Sequence, residues 1–276
     1  MRRTVELIFY IVVILFFIAR YANVDDQEPR RPRPDAPGQN PPAVLLPDSS
    51  PLPQDNMGAV NVALDVIVKN GVGTAFAVDG KGTYVTARHV VDGCSQVYLF
   101  TGPRQLEPVL STVSEGTRDF AVLRATRLRA VPFALTDKSP ARGEDGFMMG
   151  YPQGKPADVR ATVIGRTEMR SSGRYSAKEP VVAWVERERR PTFGGSLGGI
   201  SGGPVFNAVG YVVGTVVAGA PRRGRVYTTH PRVFREIGLI TDEGKPVQGL
   251  RRQDFDKLGT GFRANRAIAQ VYCKAA

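Results

Sequence analysis

Histidine is scarce in this 276-residue chain, which has only His89 and His230. Any reaction that needs an imidazole must use one of the two. Cysteine is equally scarce, with Cys94 and Cys273 far apart and no CxxC pair. That pattern disfavours a zinc or dithiol redox site. It leaves open whether the two cysteines form a disulfide in an oxidising compartment or remain free thiols. There is a single tryptophan, Trp184, expected to pack in the core or at its rim. Helical periodicity is missing from the middle of the chain and shows only over Pro231–Ile240 and near Ala264–Tyr272. No internal repeat at a period of roughly 20–50 residues is present.

Glycine and proline, by contrast, are abundant, at 30 and 21 residues. They suit short strands joined by tight turns. The formal net charge is +11, which raises the question of nucleic acid as a partner. The basic residues are scattered in small groups, Arg187/Arg189/Arg190, Arg222/Arg223/Arg225 and Arg251/Arg252, with no interleaved aromatics. A solvated basic surface is the better reading, with a basic surface-binding module as a rival that salt-dependent DNA retention would reveal.

The one long apolar run, Leu7–Ala19, follows Met1-Arg2-Arg3. A charged start followed by such a run is a targeting segment. Cleavage after Ala19 or Ala22 would leave Phe17 or Arg20 three residues before the cut, both poor for a signal peptidase. An uncleaved membrane anchor over residues 1–22 is the expectation, with a removed signal peptide and a secreted product as the alternative. Residues 23–55 hold nine of the 21 prolines, so they read as a stiff, solvated tether.

The texture changes at Met57. Short β-patterned runs recur at Val60–Val68, Gly71–Val78, Tyr84–Ala87, Val97–Thr101 and Phe120–Arg124, and again from Gly146 to Thr228. Strands at this spacing, separated by glycine turns, predict an all-β fold, either a sandwich or a pair of barrels.

Chemistry concentrates in Gly199-Ile200-Ser201-Gly202-Gly203-Pro204. A serine hydroxyl needs a base to activate it, and that base needs an orienting group. The segment fits G-x-S-x-G, whose hydrolase order is Ser, then Asp or Glu, then His. No carboxylate lies between Ser201 and His230, so that order fails. The order His89, Asp119, Ser201 is available. Asp119 is preferred because it follows a polar loop and directly precedes the apolar run Phe120–Leu123. Asp92 reads better as a turn residue before Gly93, and His230 as a structural histidine.

Thr86-Ala87-Arg88-His89-Val90-Val91, Asp119-Phe120-Ala121-Val122-Leu123 and Ser201-Gly202-Gly203-Pro204-Val205 together resemble the three signature segments of trypsin-like serine proteases, closest to the HtrA-like branch. The likeness covers roughly Met57 to Ile237. It implies two six-stranded antiparallel β-barrels, a protease domain over residues 56–240, and a short, partly helical extension over 241–276. That extension is too short for a PDZ domain.

The resemblance further implies that His89 is the base, Asp119 its orienting partner and Ser201 the nucleophile. Gly199 and Ser201 would form the oxyanion hole, and no metal or organic cofactor would be needed. Gly195, Ser196, Val217, Ala218 and Gly219 would bind a polypeptide substrate, their small or apolar character favouring a small or medium apolar residue before the scissile bond. The setting implied is the periplasmic face of a bacterial inner membrane. Ile200 departs from the pattern, since relatives carry a polar residue there. It is the clue for a rival reading, a catalytically silent peptide-binding protein on the same fold.

Overall fold

The computed structural model describes residues 57–276 apart from Pro103, Arg104, Glu115, Thr126, Pro221, Arg222 and Asp242. The expected anchor (1–22) and tether (23–55) lie outside the described residues. In chain order the strands are β1 (Val60–Ala63), β2 (Gly71–Ala77), β3 (Thr83–Thr86), β4 (Gln96–Gly102), β5 (Gln105–Pro108), β6 (Ser111–Ser114), β7 (Ala121–Arg124) and β8 (Asp145–Gly150). They continue with β9 (Ala157–Ser172), β10 (Ala177–Arg190), β11 (Pro204–Asn207), β12 (Val212–Ala220), β13 (Arg225–Thr229) and β14 (Ile268–Lys274). Three short helices are interspersed, α1 (Arg88–Val91), α2 (Arg232–Glu236) and α3 (Phe255–Ala264). Among the described residues no helix is long and apolar enough to cross a membrane.

The strands form two sheets. One runs β5-β4-β14-β2-β3-β7-β6. Between its ends, Val109 N–H donates to Val97 of β4 and Leu110 N–H to Arg124 of β7, each at 2.9 Å. Strands β5 and β6 are thus two halves of one bent segment that closes the sheet into a barrel. The other sheet runs β1-β9-β10-β13-β12-β11-β8, and β8 also pairs with β9. That extra pairing closes six strands, with β1 added in parallel on β9. The expected pair of antiparallel barrels is therefore the observed architecture.

The chain supplies one strand from an unexpected place. Strand β14 sits between β2 and β4, antiparallel to both, so the first barrel contains a strand from beyond the expected domain boundary at residue 240. The helical pattern expected near Ala264–Tyr272 is corrected here: helix α3 ends at Ala264 and Ile268 begins a strand. The reason is a period of two. Ala269, Val271 and Cys273 are buried, while Gln270, Tyr272 and Lys274 face outward, and a short apolar run suits either period until its neighbours are known. Cys273 is disulfide-bonded to Cys94, just beyond α1, with the Cα atoms 5.5 Å apart.

A layer of phenylalanines fills the seam between the barrels. Phe76 and Phe120 come from the first barrel, Phe147 and Phe206 from the second, and Phe255 and Phe262 from α3. Phe133 meets the rings of Phe206 and Phe262 edge-on, both at 4.9 Å between centroids. Such edge-to-face contacts fix ring orientation as well as burying area. Helix α3 is also pinned to β9, since the Arg263 guanidinium donates to both Asp158 oxygens at 2.6 and 2.8 Å.

Candidate active site

Strand β3 runs into α1, which presents His89 at the seam with its side chain 22% exposed. Asp119 stands just before β7 and is almost wholly buried. The two meet directly. His89 Nδ1 lies 2.7 Å from Asp119 Oδ2, and the His89 amide donates to Asp119 Oδ1 at 2.8 Å. Asp119 being ionised, the ring proton belongs on Nδ1, which leaves the Nε2 lone pair free to accept.

Two residues that sequence reasoning missed complete the environment of the carboxylate. The Tyr175 hydroxyl donates to Asp119 Oδ1 at 2.8 Å, and the Asp119 amide donates to Glu179 Oε1 at 2.7 Å. Tyr175 sits in the turn between β9 and β10, and Glu179 lies in β10. No local pattern marks either, because both meet Asp119 only through the fold, at separations of 56 and 60 residues. Arg174 is a third unforeseen neighbour, donating to the His89 carbonyl at 2.8 Å and to Asp92 Oδ2 at 3.1 Å.

Electrostatics follow from this packing. Burial pushes the His89 imidazole down, but the charge of Asp119 and its hydrogen bond outweigh that and leave the pKa above the ordinary histidine value. Burial pushes Asp119 up, yet the His89 charge and the bonds from His89 and Tyr175 hold it below the usual carboxylate value. Glu179 is pushed up to about 7 by burial and then by the Asp119 charge. His230, the other histidine, is lowered to about 4, mainly by burial, and its Nε2 lies 2.8 Å from Ser139 Oγ.

Ser201 shares a cleft of about 230 Å³ with His89 and Gly199. Its turn is built from glycine out of steric necessity. Gly199 has φ +98°, and a Cβ there would meet the Tyr151 carbonyl oxygen at 2.5 Å. The surrounding polar groups are mostly engaged: Thr74 Oγ1 donates to the Gly199 carbonyl, the Thr74 amide to the Ser201 carbonyl, and the Gly202 amide to the Val216 carbonyl, all at 2.8 Å. Among the described residues the N–H groups of Gly199 and Ser201 donate to no protein acceptor. They are therefore available to an oxygen held in the cleft. The Ile200 side chain points the other way, 1% exposed among Met148, Leu197, Val205 and Val213.

The structure thus brings His89, Asp119, Gly199 and Ser201 together. Five other expected residues do not wall this cleft. Val217, Ala218 and Gly219 lie on β12, and Gly195 and Ser196 lie in the loop before Ser201, where Arg189 donates to the Gly195 carbonyl and Gln153 to that of Ser196. Those loop carbonyls are tied to the protein's own donors. Among the described residues no cluster of three or more His, Cys, Asp or Glu is placed to hold a metal.

A family model described as a trypsin-like peptidase domain matches residues 73–214, more than half of the chain. The active form of the Rv3671c protease from M. tuberculosis superposes with a TM-score of 0.52 at 19% identity, covering 63% of this chain and 75% of that one. The inactive form of the Rv3671c protease superposes with a TM-score of 0.50 at 20% identity, covering 62% of this chain and 87% of that one. No curated protein matches the chain in sequence.

Proposed function

This chain belongs to the trypsin-like peptidase family, and on that premise we propose that it is a serine endopeptidase acting through His89, Asp119 and Ser201. One arrangement carries the reading: an imidazole oriented by a buried carboxylate shares a cleft with a serine whose turn holds two unengaged N–H groups.

In the first step Ser201 Oγ attacks the carbonyl carbon of the scissile bond, and its proton passes to His89 Nε2. The carbonyl oxygen becomes an oxyanion and accepts hydrogen bonds from the Gly199 and Ser201 amides. One such donor is typically worth about 3 kcal/mol of barrier. Asp119 stays ionised and stabilises the imidazolium. The C–N bond then breaks, His89 returns the proton to the leaving amine, and an acyl-serine remains. Water, deprotonated by the same imidazole, attacks the ester and releases the acid.

The buried position of Ile200 supports this reading over the silent binder. An apolar anchor in the core of the second barrel holds the turn where relatives use a polar one. A fluorophosphonate probe tests the proposal. Labelling of the wild type that is lost in Ser201→Ala and in His89→Ala is expected, and no labelling of well-folded protein would favour the binder. A peptide-library digestion by residues 55–276, with Ser201→Ala as control, would then define the residue preferred before the cut.

We further infer that the domain is tethered on the outer face of a bacterial inner membrane. The Cys94–Cys273 bond supports an oxidising compartment, and the Arg2/Arg3 start followed by the Leu7–Ala19 run supports an anchor with its N-terminus inside. Digestion of the full chain by externally added protease in spheroplasts, but not in intact cells, is the expected result.

A further inference from the structure

Four side chains of the first barrel stand in one row across four strands. Val72 of β2 is opposite Tyr272 of β14, Tyr272 is opposite Tyr98 of β4, and Tyr98 is opposite Pro108 of β5. All four point away from the barrel interior, alternating with buried Gly73, Cys273, Val97 and Glu107. A second apolar pair, Phe100 and Leu106, lies beside the row in register. The Tyr272 ring is 6.4 Å from Tyr98 and 6.5 Å, edge-on, from Phe100. Val72 is 38% and Leu106 43% exposed. The outward face of an antiparallel barrel is ordinarily polar. A contiguous aromatic stretch on it is the composition of a recognition surface.

The row has a direction, because Val72 also walls the cleft that holds His89 and Ser201. We propose that it is an exosite for the part of a polypeptide substrate lying C-terminal to the scissile bond, gripping apolar side chains of an extended segment. The proposal rests on the endopeptidase reading. On that reading β12 receives the residues before the bond, and β12 contributes nothing to this cleft. The wall formed by β2 therefore faces the leaving-amine side. Three strand spacings span about 14 Å, which an extended chain covers in about four residues, two of them facing the sheet. The preferred substrate has apolar side chains at alternate positions shortly after the cut.

Two peptides and one ester test this. The peptides share an acyl part and carry, after the bond, a tail with either Phe/Leu or Ser at alternate positions; the ester has the same acyl part and no tail. The variant is Tyr98→Thr/Phe100→Thr/Tyr272→Thr, since threonine keeps strand propensity. Wild type is expected to favour the apolar tail by roughly tenfold in kcat/KM. The variant should lose that preference and hydrolyse the ester at the wild-type rate. A preference that survives in the variant overturns the proposal, as does a dimer that the variant dissociates while the preference remains. If the triple variant does not fold, Phe100→Thr alone should lower the preference. Binding of the fluorescent apolar-tailed peptide to Ser201→Ala separates the two readings. No ester hydrolysis by wild type sinks the endopeptidase, whereas absence of tail-dependent binding to Ser201→Ala sinks the exosite.

Discussion

Glu179 holds the backbone of Asp119: its Oε1 accepts the Asp119 amide at 2.7 Å, deep in the protein. Burial raises its pKa from 4.5 to about 7. A carboxyl raised in the fold contributes stability that is complete below its unfolded value and is lost as pH rises through the folded one. Glu179→Gln keeps the accepting oxygen and removes the charge. It should leave the unfolding free energy unchanged below pH 4.5 and raise it above pH 7, by an upper bound of ~3 kcal/mol, with Tm rising in step. Thermal melts of both proteins across that window check this, and a lowered Tm at pH 8 would contradict it.

The His89 imidazole must be neutral to accept a proton. Its pKa lies above 6.5 because of Asp119, so the acid limb of kcat/KM should fall with a midpoint above 6.5. The stabilisation of the imidazolium is complete below 6.5 and is lost as pH rises through the raised value, so the protein is most active where that contribution has gone. Asp119 works in the opposite direction, adding stability above 3.8 that is lost as pH falls through its depressed value. A pH–rate profile with an acid midpoint at or below 6.5 would show that His89 is not the titrating base.

Tyr175→Phe removes one of the donors on Asp119 Oδ1 without emptying space. A hydrogen bond to a charged group is worth ~1.5–3 kcal/mol. The expected result is a roughly tenfold or larger fall in kcat with KM little changed, against ~10⁴-fold for Asp119→Asn. Steady-state kinetics on one substrate compare the three proteins.

The Ile200 side chain anchors the Ser201 turn by apolar packing, while its amide donates to the Leu197 carbonyl and its carbonyl accepts from the Gly203 amide. Ile200→Val should cost ~1 kcal/mol and keep probe labelling. Ile200→Asn, which introduces the polar residue that the resemblance leads one to expect there, buries an amide where the neighbours are aliphatic, and should cost ~3 kcal/mol or more and slow labelling of Ser201. Denaturant titration and labelling rates on both variants measure these effects.

The proposed trio is legible in the sequence because each member sits in its own local motif: His89 after a buried strand, Asp119 before one, Ser201 among glycines. The alternation of short strands shows an all-β fold, and the resemblance of the three segments singles out the pair of barrels over a sandwich. What stayed hidden depends on distance along the chain. Tyr175 and Glu179 reach Asp119 only once β9 and β10 have folded into a long hairpin. Strand β14 carries a helical pattern in sequence because its apolar residues fit either period until β2 and β4 flank it. The cysteines could be counted, but their meeting depends on where β14 lands. The polar residue expected before Ser201 is replaced by Ile200, and only the core of the second barrel shows why an isoleucine serves.

Strand β14 also sets an order of events. Its residues are made after the whole second barrel, yet they lie in the middle of the first. Until they emerge, β2 and β4 have unpaired edges and the helix bearing His89 lacks its cystine partner. Strand β14 and the Cys94–Cys273 bond must therefore be in place before the segment carrying His89 has its full support. Such late, long-range pairing is slow. Closure of the first barrel, and with it the setting of His89, waits on a strand that lies beyond residue 240.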